Sequence, residues 1–240
     1  MVSGRAIAVI PARGGSKRIP RKNVVDFFGK PMMAWTIEAA LQSGIFGSVL
    51  VSTDDAGIAE TAKRFGAEAP FLREAHADDT APASLATLTA LDQMERHMNG
   101  NFETVVQLMP NCPLRGAEDI ARAVGNFRAH DAPMQISCVR FGWMNPWWAA
   151  SLDGQGRPSP MFPGALTRRS QELDPLYCPT GAIWVAKAAA LRQAQTFYGA
   201  GHVYFPLDWK AGLDIDDEQD LEMAKAAFAM IHGAWQGARG

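Results

Sequence analysis

Short apolar runs alternate along the chain with segments whose apolar residues recur every three or four positions. "RAIAVIPA" is a continuous apolar run ending in Pro11, which predicts a buried strand with a loop starting where it stops. "PMMAWTIEAALQSG" predicts a helix. Pro31 suits its first turn, Met33, Ile37, Ala40 and Leu41 share one face, and Gly44 marks the stop. "SVLVST" predicts a second strand and "DDAGIAETAKRFG" a second helix, with Asp54 as its cap. A further helix is expected from Ala83 to about Met98, and "TVVQLM" reads as a third core strand. "MQISCVR" and "GAIWVAK" add two more strands. "LDIDDEQDLEMAKAAFAMI" predicts a last helix with Leu221, Ala224, Phe228 and Ile231 on one face, and "GARG" after it is expected to fray.

Strands alternating with helices at short intervals predict a three-layer α/β domain, a mostly parallel sheet flanked by helices. From Phe141 to Tyr177 the alternation breaks, in a stretch holding Trp143, Trp147 and Trp148 with several Pro and Gly. We read residues 141–177 as a small lobe inserted into a single domain spanning 1–240, whose Trp residues are expected to pack. Ligands of such open sheets bind at the carboxyl ends of strands, where the loop after the first strand stands.

Composition narrows the class. Charged residues make up 20% of the 240, and hydrophobic residues 48%, as in ordinary globular proteins. No apolar run approaches the roughly 18 residues of a membrane span, and "AIAVI" is too short for a signal peptide's apolar core. Cys112, Cys138 and Cys178 are odd in number and widely spaced, without a C-x-x-C pair, which argues against a disulfide framework or a zinc site. A cytoplasmic protein, with no membrane partner, is the expectation.

The net charge of −2 excludes the spread basic face of a nucleic-acid binder. Yet "IPARGGSKRIPRKN" gathers Arg13, Lys17, Arg18, Arg21 and Lys22 with no acid among them. Gly14 and Gly15 let backbone N–H groups approach an anion, and the cations supply charge. The loop lacks the Walker spacing G-x-x-x-x-G-K-[ST] and the Rossmann G-x-G-x-x-G. A plain solvated basic loop is the alternative. In "LDIDDEQD", Asp214 and Asp216 stand two apart and face one side of an extended segment, which suits one Mg²⁺ held by oxygen. The alternative is that Asp216 or Asp217 caps the last helix, with Glu218 and Asp220 in its first turn. Together the two features point to nucleotide chemistry with Mg²⁺, leaving the nucleotide open.

The first motif, "IPARGGSKRIPRKN", resembles that of the acylneuraminate cytidylyltransferases, the CMP-sialic acid synthetases and their legionaminic and pseudaminic acid relatives. "STDDAGIAETAKRFGAE", "FLREAHADDTAPAS", "MPNCPLR", "RRSQELDPLYCPTGAIWV" and "LDIDDEQDLEMA" follow in the family's order over nearly the whole chain. The resemblance implies the nucleotide-diphospho-sugar transferase type of fold and transfer of CMP from CTP to the anomeric hydroxyl of a nonulosonic acid, releasing pyrophosphate. It implies that Arg13, Gly14, Gly15, Ser16, Lys22 and Asn23 hold the triphosphate and ribose, with Lys22 nearest the α-phosphate. Arg73 and Ser84, with backbone near Pro82, would read the cytidine. Asp214 and Asp216 would hold Mg²⁺ (or Mn²⁺), and Asp214 would receive the sugar's proton. The lobe would form a homodimer and border the partner's sugar site.

Departures from the family pattern concern the sugar. Met109 stands where the family's "QPTSPLR" carries Gln, and Gln107, two residues earlier on the same strand face, is a candidate substitute. Thr-Ser has become Asn111-Cys112, and Thr180 replaces the Asn of "NGAI". Met109, Gln107 and Thr180, with Arg168, Arg169, Gln171 and Tyr177, are the candidate sugar-side residues. Losing a hydrogen-bonding Gln favours a less hydroxylated sugar, a 9-deoxy acid such as legionaminic or pseudaminic acid, over N-acetylneuraminic acid. A transferase using another NTP or sugar, a non-catalytic binding protein and a nucleic-acid module are the rival readings.

Overall fold

The computed structural model describes residues 6–75 and 82–233. In chain order it contains β1 (Ala6–Pro11), the two-residue strands β2 (Asp26–Phe27) and β3 (Lys30–Pro31), α1 (Met32–Gln42), β4 (Ser48–Ser52), α2 (Ala56–Arg64) and α3 (Ala83–Met98). Then come β5 (Thr104–Gln107), α4 (Ala117–His130), β6 (Met134–Arg140), β7 (Ala150–Leu152), β8 (Pro158–Pro160), β9 (Tyr177–Lys187), α5 (Ala188–Ala194), β10 (Val203–Leu207) and α6 (Glu218–Ile231).

Six strands form the central sheet in the order β10-β6-β9-β5-β1-β4. Its pairs are parallel except along β9, which runs antiparallel to both β5 and β6. Alternation along the strands divides the core in two. Ala8 and Ile10 of β1 face α1, α2 and α4, through Met33, Ile37, Ile58, Ile120 and Phe127. Ile7 and Val9 face α3 and α5, through Leu88, Leu91, Met94 and Leu191. The expected mostly parallel sheet with helices on both faces is what forms.

A third, smaller core positions the site. Ile19 of the basic loop, Phe27 of β2, Met32 of α1 and Ile215 cluster with Leu221 and Ala224 of α6. Phe27 meets Phe28, Trp35 and Phe228 edge-on at centroid distances of 5.0, 6.3 and 5.6 Å. This core clamps the loop after β1 to the segment before α6, though nearly 200 positions separate them in the sequence.

Several local expectations change. Asp55, not Asp54, caps α2: its Oδ1 accepts from Ile58 N at 2.9 Å. Asp54 instead accepts from Gly14 N at 2.9 Å, so its side chain fastens the basic loop. Leu41 and Ile231 are 43% and 45% exposed, at the ends of helices whose middle turns carry the burial. The helices α4 and α5 and the strand β10 were not anticipated. "GARG" and the stretch 76–81 lie outside the described residues. The segment between β6 and β9 holds the β7–β8 hairpin. There Trp147 packs on Phe162 at 5.0 Å, while Trp143 is 85% exposed, against the expectation of packing.

Because Ile215 is fully buried in the third core, Ile215→Ala should lower stability by about 2–5 kcal/mol. Urea unfolding checks this; a loss under about 1 kcal/mol would mean that this core does not hold the segment.

Candidate active site

Each half of the site is a connecting segment held by a local device, a turn with a short 3-10 helix (Lys22–Val24) on one side and extended chain before α6 on the other. Gly14 lies against the start of α2, where a Cβ would stand 3.0 Å from Asp55 Cβ. The close approach therefore requires glycine. Gly15 has open space around it, so packing does not explain that glycine. Asn23 is buried and donates from Nδ2 to Arg13 O at 2.8 Å, closing the loop on itself. Arg21 is left-handed, with φ 52°, immediately before Lys22.

On the other side, the side chain of Ile215 points into the core, which turns its neighbours Asp214 and Asp216 away from it, as an extended alternation requires. Asp217 caps α6, accepting from Gln219 N and Asp220 N at 2.9 and 3.1 Å. Asp220 in turn accepts from Asp216 N at 2.9 Å. Capping of α6 therefore falls on Asp217, which leaves the Asp214 and Asp216 carboxylates to other contacts.

The halves meet at Lys22. Its Nζ donates to Ile215 O at 2.8 Å and to Asp216 Oδ1 at 2.9 Å. Arg18, which the sequence did not single out, pairs with Asp216 Oδ2 at 2.8 Å. Burial alone would raise the Asp216 carboxyl, but the hydrogen bonds and charges of Lys22 and Arg18 outweigh it and hold the group below its ordinary range. Asp214 behaves oppositely. Burial, then the neighbouring charge of Asp216, pushes it up to about 6. Two carboxylates two residues apart thus differ in proton affinity because only one carries the cations.

Between the halves lies a cavity of about 220 Å³ bordered by Arg13, Ser16, Lys22, Arg73, Met109 and Asp216. Arg73 is buried, donates from Nη1 to Ser52 O at 3.2 Å, and is shifted down by burial. Ala83 and Ala86 at the start of α3 complete that wall, next to Pro82, whose carbonyl accepts from Leu85 N and Ala86 N. Ser84 turns elsewhere and accepts from Phe197 N at 3.3 Å.

Among the candidate sugar-side residues, Met109 borders the cavity. It packs over Gly181, where a Cβ would fall 2.8 Å from Met109 Cγ and 3.3 Å from Asp214 Oδ2. Gln107 does not stand in for a glutamine at 109, because it is fully buried with Oε1 accepting from Thr87 Oγ1 of α3 at 2.6 Å. Thr180 is buried, its hydroxyl accepting from Ala182 N at 3.0 Å. Tyr177 is exposed at the start of β9. Arg168, Arg169 and Gln171 are exposed away from the cavity, where Arg168 Nη2 donates to Glu172 O.

Two residues beside the cavity were noted in the sequence without a role. Asn111 donates from Nδ2 to Asp214 Oδ1 and, at 3.1 Å, to Ile215 O. Arg115 is 1% exposed and donates from Nη1 to Ala182 O at 2.5 Å and Met109 O at 3.4 Å, tying the turn after β5 to β9. Its burial brings it down to about 10. The sequence signal for both was "MPNCPLR", whose polar residues follow a core strand.

The donor set suits a hard cation. Asp214 and Asp216 offer two carboxylates on one side of the segment, that of Asp216 held in this structure by Lys22 and Arg18. That matches an ion of the Mg²⁺ type, which keeps water or phosphate oxygens around one or two carboxylates.

Comparison with known proteins shows the family. A family model described as "Cytidylyltransferase" matches residues 7–141. The chain is 33% identical over 227 residues to the pseudaminic acid cytidylyltransferase of Campylobacter jejuni, covering 94% of this chain and 97% of that protein. It is 36% identical over 197 residues to the CMP-N,N'-diacetyllegionaminic acid synthase of Legionella pneumophila, covering 81% and 83%. Among solved structures, a CMP:2-keto-3-deoxy-manno-octonic acid synthetase complexed with CTP superposes with a TM-score of 0.68 at 19% identity, over 95% of this chain and 99% of that one, a likeness of fold. The chain belongs to the cytidylyltransferase family.

Proposed function

We propose that the chain transfers CMP from CTP to the anomeric hydroxyl of a nonulosonic acid, releasing pyrophosphate and forming a CMP-sugar. The observation that carries this reading is the meeting of Lys22 with Asp216 across a cavity that Arg13 and Arg73 also border. Nucleotidyl transfer asks the protein mainly for in-line positioning and for cancellation of charge on phosphate oxygens. In this reading Arg13, Ser16 and the backbone of Gly14 and Gly15 hold the triphosphate. Lys22 passes from Asp216 to an α-phosphate oxygen, and Asn23 keeps the loop closed. Arg73 and the start of α3 border the base. Mg²⁺ held by Asp214 and Asp216 would neutralise phosphate charge when bound. Asp214 takes the proton from the attacking hydroxyl, directly or through water. We read the reaction as cytoplasmic.

For the sugar we favour a 9-deoxy acid such as legionaminic or pseudaminic acid. The names of the two relatives support this, as do the side chains themselves. Met109 presents a thioether where an amide would bind a hydroxyl; Gln107 is fully buried with Oε1 accepting from Thr87, and the Thr180 hydroxyl accepts from Ala182 N. We also read the lobe as a homodimer surface, supported by the exposure of Trp143, Met144, Leu152, Met161 and Leu166 within one segment.

Incubation with CTP, Mg²⁺ and a panel of nonulosonic acids, with products weighed by mass spectrometry, should yield CMP-sugars, with 9-deoxy acids preferred by roughly tenfold or more. Met109→Gln should narrow that preference; equal or better turnover of N-acetylneuraminic acid by the wild type would sink the substrate reading. Asp216→Ala should lower Mg²⁺-dependent turnover by roughly a hundredfold or more while circular dichroism stays native. Turnover near the wild-type rate would remove Asp216 from the site. Light scattering at micromolar concentration should give twice the chain mass of 26.0 kDa; a monomer would contradict the dimer.

A further inference from the structure

Asn111 lies on the turn after β5 and is 3% exposed. Its side-chain nitrogen faces three oxygens: Asp214 Oδ1, Ile215 O at 3.1 Å and Asp216 Oδ1 at 3.4 Å. Its backbone is anchored to the same segment, because Ile215 N donates to Asn111 O at 2.9 Å. An amide NH₂ has two protons for these three acceptors. The amide oxygen, Asn111 Oδ1, is buried and has no hydrogen-bond partner. A buried amide oxygen left unpaired costs about 1–3 kcal/mol, so this one calls for a partner.

The two ends of a carboxamide are nearly equal in size, and a half-turn about its last torsion exchanges them. After that turn Oδ1 takes the place of Nδ2 and faces the carboxylates of Asp214 and Asp216. Three oxygens so placed repel one another, unless a cation sits among them. Oxygens about 2.0–2.1 Å from an octahedral Mg²⁺ stand about 2.9 Å from their neighbours; the amide nitrogen stands 3.4 Å from Asp216 Oδ1 and hydrogen-bonds Asp214 Oδ1, so a small shift brings Oδ1 to that spacing. With Nδ2 inward, the amide bridges two like-charged groups; with Oδ1 inward, it adds a third hard donor.

Resting on the metal-dependent reading above, we propose that Asn111 is the third protein ligand of the divalent cation, binding through Oδ1 after its amide turns. The site then comprises Asp214, Asp216 and Asn111, one donor from the turn after β5 and two from the segment before α6. Asn111 thereby couples cation binding to the turn that carries Met109, two residues earlier.

The test is Mn²⁺ binding by the purified full chain, read from the loss of the free-ion electron paramagnetic resonance signal, with and without CTP and without sugar. The wild type is expected to bind Mn²⁺ and Asp216→Asn to weaken it. Asn111→Leu, close in shape but without an oxygen, should weaken binding at least about tenfold. Asn111→Asp, which supplies a charged oxygen at the same place, should bind as tightly as the wild type or more so. This second variant keeps the test informative should the leucine variant not fold. Crystals grown with Mn²⁺ should show Asn111 Oδ1 in the coordination shell, about 2.2 Å from the ion. Wild-type binding with an unchanged Asn111→Leu, or an ion standing clear of Oδ1, would overturn the inference and leave the metal reading intact. No Mn²⁺ binding by the wild type under either condition would overturn both.

Discussion

One backbone oxygen gathers the site. Ile215 O accepts from Lys22 Nζ at 2.8 Å and from Asn111 Nδ2 at 3.1 Å, while the Ile215 side chain is sealed in the third core. Three distant stretches of chain, the basic loop, the turn after β5 and the segment before α6, meet on that residue. Its burial fixes the direction of its neighbours: an inward Ile215 means outward Asp214 and Asp216. The acidic pair is thus aimed by a hydrophobic contact, and its two members differ in proton affinity according to which of them meets Lys22 and Arg18.

The surroundings explain why such a loop keeps its shape. Gathering five cations in ten residues is unfavourable unless each has somewhere to go. Lys22 and Arg18 go to Asp216, Asp54 takes Gly14 N, and Asn23 closes the loop on Arg13 O. Around the cavity several buried polar atoms lack hydrogen-bond partners, among them Arg73 Nε, Asn111 Oδ1 and both Nε and Nη2 of Arg115. Unsatisfied buried groups are uncommon in folded proteins, and two of the residues that carry them, Arg73 and Asn111, line the cavity. Arg115 also joins Met109 O to Ala182 O, bracing the turn that carries Met109 against β9.

Much of this was legible in the sequence, for identifiable reasons. Apolar runs such as "RAIAVI" and "SVLVS" are buried on both faces of a parallel sheet, and they read as strands without ambiguity. The G-G loop and D-x-D read as chemistry because their side chains sit oddly in any structural role. The helix α4 was missed because its apolar positions are interrupted by charges. Asp54 and Asp55 were exchanged because adjacent acids compete equally for a cap until the path of the loop is known. Gln107 was assigned to the sugar by strand alternation, which says which face a residue takes and not that α3 covers that face. Asn111 looked like a departure from a motif; its place between two carboxylates depends on a contact spanning 103 positions.

The account rests on the α-phosphorus of CTP being the atom transferred. CTP labelled with ³²P at the α-position, incubated with the protein, Mg²⁺ and an accepted nonulosonic acid, tests this directly. The account predicts all transferred label in the CMP-sugar and unlabelled pyrophosphate in equal amount. Label-free sugar product, or a sugar phosphorylated from the γ-position of CTP, would contradict it.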